Sequence, residues 1–331
     1  MSSLTDGSKG FFRVMILLTV LIIVTASISI LFVGRLPLTM NDWLSMSPLA
    51  RIALSLRVPR VVFSLIAGAS LAAAGAALQA VFRNPLASPS ILGVSQGAAF
   101  GAAVGILMFS GIAALIEASA FVSGLAAVMF TYFLARMVRY GGSILRLILA
   151  GMASAALFNA GVGVVKSLAD PLKQLPEITF WLLGSFAGLT EYEVVTAGSV
   201  ALVGAVAVGI LSWRLNILSL GDEQAKALGV NPRIYRNAAI FASITAVSAV
   251  TAVAGQIMWI GLVMPHLGRK VVGSDNRRAV PAAALIGALI MLIADDIARG
   301  VSAAEIPLSV VTSLIGVPIF VAILSMRESR K

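Results

Sequence analysis

The 331-residue sequence contains no cysteine and a single histidine, His266. The first absence excludes disulfides, thiolate metal sites and cysteine nucleophiles, and the second excludes a multi-histidine metal site within one chain. Charge is scarce too. Only 11% of the residues are charged, against about 25% in an ordinary soluble domain, while 59% are hydrophobic and the mean hydropathy is +1.01. A soluble chain of this length could not hide so much apolar surface, whereas a bilayer accepts it as exterior. Also missing are a GxxxxGK[ST] loop to cradle a nucleotide, an HExxH and an EF-hand loop. Acids are outnumbered 14 to 24 by Lys and Arg, leaving a net charge of +10. In a soluble protein that excess would point to nucleic acid. Here the sparse basic residues sit between apolar segments, a pattern that fits control of membrane topology.

What is present is a series of apolar runs. They predict spanning helices at 14–33, 61–81, 91–113, 117–137, 144–165, 192–213, 237–254, 256–268, 280–298 and 306–325. The first follows basic Lys9 and Arg13 and is longer than a signal-peptide core, so it is read as a retained helix. The eighth is short and holds Gly261 and Pro265, which predicts a broken or re-entrant helix. The run 178–189 is too short to span and reads as a half-helix lining a cavity. The expectation is therefore an all-α polytopic membrane protein of about ten transmembrane helices, with residues 1–331 forming one transmembrane domain.

Ten spans put both termini on one side. If that side is cytoplasmic, the opposite side holds Arg35, Arg51, Arg57, Arg60, Lys166, Lys173 and Arg299. The other 17 of the 24 basic residues, including Arg327, Arg330 and Lys331, are then inside. Two stripes of small residues, Gly97–Gly101–Gly105 and Gly68–Ala72–Ala76 with Gly75 nearby, mark close helix contacts. Packing within the chain is favoured over a dimer seam.

Four segments carry mechanism. Between spans six and seven, Asp222 suits a helix start and Gly229 a stop, and Asn231 with Pro232 suits a new start. A short extramembrane helix follows, whose Ala225, Ala227, Leu228 and Val230 are expected to be exposed and able to enter a partner's groove. An ordinary capped loop fits equally well. Pro85 and Pro89 break the chain before Gly93–Val94–Ser95–Gln96–Gly97, a glycine-rich helix start. That pentapeptide also matches the GxSxG of serine hydrolases, but no strand precedes it and the one possible base, His266, is far along the chain. Asp295 and Asp296 end an apolar run, and Arg299 follows at ion-pair spacing. A helix-end pair is favoured over a proton relay. Finally, Glu305–Ile306–Pro307 opens the last helix.

These residues resemble the type II ABC importer permeases, the family that carries iron-siderophore, heme and cobalamin. The resemblance rests on Leu56–Arg57–Val58–Pro59–Arg60, Gly75–Ala76–Ala77–Leu78–Gln79–Ala80 and Asn84–Pro85–Leu86–Ala87. It continues through Leu92 to Gly97, Gly221 to Gly229 and Ile260 to His266, and ends with Pro281, Ala294–Asp295, Arg299 and Glu305–Ile306–Pro307. It implies a homodimer in a prokaryotic inner membrane with a substrate path between the subunits. Two separate ATPase subunits would use ATP and Mg on the cytoplasmic side, with no cofactor held and no reaction catalysed by this chain. A periplasmic or lipid-anchored binding protein would deliver cargo outside. The resemblance assigns Gly221, Asp222, Glu223, Gln224, Ala225, Lys226, Ala227, Leu228 and Gly229 to a coupling helix, and Arg57, Arg60 and Arg299 to docking of the binding protein. The family also admits molybdate and other oxyanions. Lys166 and Lys173 are candidates for attracting anionic cargo, although solvated loop charges are the favoured reading. Two other functions stay open: an ion-coupled secondary transporter using Asp295 or Asp296, and a membrane-embedded enzyme.

Overall fold

A computed structural model describes residues 2–34, 36, 38–301 and 304–328. Arg35, Arg330 and Lys331 of the charge count lie outside the described residues, and among the described residues no strand occurs. The helices are α1 (Ser2–Phe32), α2 (Met40–Leu44), α3 (Pro48–Phe82), α4 (Val94–Met108), α5 (Ala113–Met137), α6 (Ser143–Leu168) and α7 (Gln174–Leu183). They continue with α8 (Glu191–Glu193), α9 (Ser199–Leu220), α10 (Asp222–Ala227), α11 (Pro232–Ala254), α12 (Ile260–Val272), α13 (Asn276–Gly300) and α14 (Leu308–Glu328). A π turn at Val194–Gly198 joins α8 to α9.

Each of the ten predicted spans coincides with a helix: α1, α3 to α6, α9 and α11 to α14. Eight helical stretches are long and apolar enough to cross a membrane, while α4 and α12 are shorter. The second span differs most from expectation, since α3 begins at Pro48 rather than at 61. Arg51, Ser55 and Arg57 interrupt the apolar run there, yet Ser47 caps the helix by accepting from Ala50 N, and Pro48 occupies the first turn. At 35 residues the helix is about 52 Å long, well beyond a hydrocarbon core of about 30 Å.

The most enclosed helix is α3: 78% of its most apolar window is buried, against 6% for α1 at the periphery. Its small residues explain this. A Cβ added to Gly68 would lie 2.2 Å from the Gly287 carbonyl oxygen of α13, and one on Gly75 would lie 1.7 Å from that of Gly261 in α12. Backbones approach this closely only where both helices lack a side chain. The α4 stripe packs inside the chain as expected: a Cβ on Gly101 would sit 2.3 Å from the Ser119 carbonyl of α5. Gly75→Ala is therefore expected to destabilise the fold by about 1–3 kcal/mol through overpacking. Gly209→Ala, with nothing near its added carbon, should leave thermal unfolding in detergent unchanged.

The broken helices meet in the interior. α7 ends at Gly184 (φ +72°) and α11 at Gly255 (φ +68°). Ser185 N donates to Ala254 O, and Leu308 N at the head of α14 donates to Gly184 O, both at 2.9 Å. Helix ends buried away from water must satisfy one another in this way. The expected half-helix at 178–189 is thus α7, shifted toward the N-terminus. The eighth span is indeed short, but Gly261 and Pro265 do not break it: α12 runs unbroken through both, and the interruption lies before it, in the loop 255–259.

Candidate functional site

At one end of the bundle, α10 is built as a rigid knob. Gly221, at φ +119°, turns the chain out of α9, and its carbonyl accepts from Ala225 N at 2.9 Å. The helix closes with Gly229 in the left-handed region, with Val230 N donating to Ala225 O at 2.9 Å. That bond is the Schellman closure. Asn231 then caps α11 by accepting from Arg233 N at 3.1 Å. Two expectations need correction. Gly221, not Asp222, holds the N-cap position, and the Asp222 carboxylate instead pairs with Arg236 of α11. Ala225 and Val230 are also buried rather than exposed. They face the body of the protein, because the closure folds the segment back over them. The outward surface consists of Glu223, Gln224, Lys226, Ala227, Leu228 and Gly229.

At the other end, the three singled-out arginines do not form an exposed patch in the single chain. Arg57, Arg60 and Arg299 are 5%, 9% and 6% exposed. Arg57 spans to α1, donating to the carbonyls of Ile30 at 2.8 Å, Leu31 at 3.0 Å and Leu36 at 3.1 Å. Its cation thereby sits at the negative end of α1. Arg60 Nε donates to both Asp295 oxygens at 2.9 and 3.0 Å, and its Nη atoms reach both Glu305 oxygens at 3.1 Å. Arg299 pairs with Asp296 at 2.6 Å and with Asp295 at 3.5 Å, and it also donates to Ser29 of α1. Two cations, Arg60 and Arg299, thus meet three carboxylates across α3, α13 and the segment before α14, with Ser29 of α1 joining them, while Arg57 is held beside them by backbone carbonyls. The expected pairing of Arg299 with the α13 acids is present. The sequence singles out Arg60 only as an outer, docking arginine; its pairing with Asp295, 235 residues away, and with Glu305 is not foreseen there. The one sequence signal for that pairing is an intramembrane acid in need of a partner.

Elsewhere the placements are looser. Lys166 is half-buried near the end of α6, and Lys173 is exposed just before α7. Where α4, α11 and α12 converge, a cavity of 250 Å³ is lined by Ser88, Ser90, Ser95, Gln96, Thr251 and Gln256. Gln256 Nε2 donates to the Ser95 carbonyl at 3.1 Å, and Gln96 Oε1 is buried without a partner. Ser95 opens a helix after a 3₁₀ turn at Pro89–Leu92, so the strand required for a nucleophile elbow is absent at this site. His266 Nε2 lies 2.8 Å from the Pro85 carbonyl and its ring packs edge-on against Phe320. It ties α12 to the loop after α3.

The profile of the FecCD transport family matches residues 14–326. The chain belongs to the FecCD transport family. It is 39% identical over 315 residues to the molybdate import system permease protein MolB of Haemophilus influenzae, covering 92% of each chain. It is 40% identical over 288 residues to the hemin transport system permease protein HmuU of Yersinia pestis, covering 84% of each. A solved structure described as an inward-facing conformation of a metal-chelate type ABC transporter superposes with a TM-score of 0.86 at 36% identity, over 95% of this chain and 99% of that one. The chain is thus a multi-pass ABC importer permease of the FecCD family. For this FecCD permease, α10 and the arginine–carboxylate cluster are the two constellations that lie at opposite ends of the spanning helices.

Proposed function

We propose that this FecCD permease works as a homodimer that moves a metal chelate, heme, corrinoid or oxyanion inward by alternating access, driven by two ATPase subunits seated on α10. The observation that carries this reading is α10 itself. It is a short helix fixed at both ends by glycines and by the Asp222–Arg236 pair, and it presents Ala227 and Leu228 outward. The basic residues concentrate on the same side, which supports a cytoplasmic location for α10 and for both termini. An impermeant thiol reagent should therefore label Ser325→Cys, in this cysteine-free chain, only after the membrane is opened. Labelling in intact cells would reverse the orientation.

Cargo chemistry is argued from charge. Lys166 and Lys173 add positive charge near the outer end, which supports an anionic cargo, and relatives of nearly equal identity carry the names hemin and molybdate. Delivery by a binding protein would use the Arg57–Arg60–Arg299 end, its carboxylates replacing Asp295 and Glu305 as partners. Uptake into proteoliposomes with the partner ATPase should require ATP hydrolysis. Uptake driven by an ion gradient without the ATPase would instead favour a secondary transporter acting through Asp295 or Asp296.

A further inference from the structure

On the face where α5 and α11 pack together, two hollows run into each other. The first, of 530 Å³, lies beside α10 and is lined by Arg136, Arg146, Lys226, Arg233 and Arg236, with Asp222 as the acid among them. The second, of 730 Å³, is an apolar groove farther along the same two helices, walled by Val128, Met129, Phe133, Phe241 and Ile244. Tyr132, Arg136 and Asn237 line both, and Tyr132 Oη donates to Asn237 Oδ1 at 3.2 Å at the junction. Asp222 is already committed to Arg236, so the basic hollow keeps a large excess of positive charge. Arg236 is 6% exposed, yet its buried Nε–H meets no acceptor. A buried donor left unpaired is costly.

We propose that the joined hollows bind one anionic phospholipid of the leaflet on the α10 side, its phosphate among Arg136, Arg233 and Arg236 and an acyl chain in the α5–α11 groove. The inference rests on the membrane reading alone and not on the importer mechanism. The groove lies within the spanning part of both helices, and Met129, Phe133 and Phe241 are exposed there. An acyl chain is the apolar molecule available at that level. A basic hollow between helices at the membrane surface is the kind of site that selects anionic headgroups. A zwitterionic headgroup would bring a cation into a hollow already rich in them, and is disfavoured.

The test uses the full chain in mild detergent, titrated with phosphatidylglycerol, phosphatidylcholine or inorganic phosphate and read by native mass spectrometry. Phosphatidylglycerol should be preferred over phosphatidylcholine. Arg136→Gln with Arg233→Gln changes two exposed side chains, so the fold should survive. The double variant should weaken phosphatidylglycerol binding by about 25-fold, at about fivefold per basic residue. Ala238→Trp, placed in the groove wall, should weaken binding of both lipids while leaving their ratio unchanged. Equal binding of the two lipids, or a double variant that binds like the parent, would overturn the proposal. So would inorganic phosphate competing as effectively as the lipid, or Ala238→Trp binding as the parent does, since either leaves the groove without a role. Loss of ATPase-subunit binding with lipid preference intact would assign the hollow to a protein interface instead.

Discussion

Asp295→Ala is expected to destabilise the permease by about 3–5 kcal/mol, the effect of removing one partner from a buried ion pair. Asp295 has no exposed surface, and it takes Arg60 through both carboxylate oxygens and Arg299 at 3.5 Å. Without it, two buried guanidiniums keep only Glu305 and Asp296 as countercharges. The effect should spread beyond α13, because Arg60 belongs to α3 and Ser29 ties the cluster to α1. The thermal midpoint in detergent should fall steeply and the yield of folded protein with it. Replacing both members of the pair, Arg60→Leu with Asp295→Leu, should cost much less, since no unpaired charge remains. A single Asp295→Ala variant as stable as the parent would mean that the cluster does not support the fold. A double variant as unstable as the single one would show that the arginine contributes by packing rather than by charge.

The spanning helices were legible because length alone identifies them: an apolar run of the right extent has few other fates. A break near the eighth span is expected for a similarly local reason, Gly261 and Pro265, but both lie within the continuous α12, and the chain is broken instead at 255–259. Three features were not legible. Hydrophobicity cannot say which face of a spanning helix looks inward, since lipid and protein interior are equally apolar, so the centrality of α3 emerges only through contacts such as Gly68 with Gly287. Arg60 and Asp295 meet through tertiary folding across 235 residues, and no local pattern encodes that. The positive-inside count sets Arg57, Arg60 and Arg299 apart as unusual, but it cannot say that carboxylates of the same chain offset Arg60 and Arg299 and that backbone carbonyls take Arg57. Finally, α10 has only six residues, too few turns for periodicity to separate its buried Ala225 from its exposed Ala227.

That separation decides how coupling must be tested. Ala225 is fully enclosed, and its carbonyl receives the helix-closing bond from Val230. A carboxylate there would be buried without a partner, so Ala225→Asp should damage the knob itself and says nothing about docking. Leu228 is 60% exposed with Ala227 exposed beside it, and neither holds the fold together. If α10 seats in an ATPase groove, Leu228→Asp places a charge in a packed apolar contact while leaving the permease folded. The expected result is weaker ATPase-subunit association, on the order of 30-fold, the consequence of losing an interface anchor of about 2 kcal/mol. Transport should fall with it. Unfolding temperature and membrane insertion should stay at the parent's values, because the mutated side chain faces away from the bundle. Lys226→Ala, at the edge of the same surface, should change association modestly and mainly at low salt. ATP-driven uptake at the parent's rate by Leu228→Asp, with the subunits still associated, would remove α10 from the coupling path.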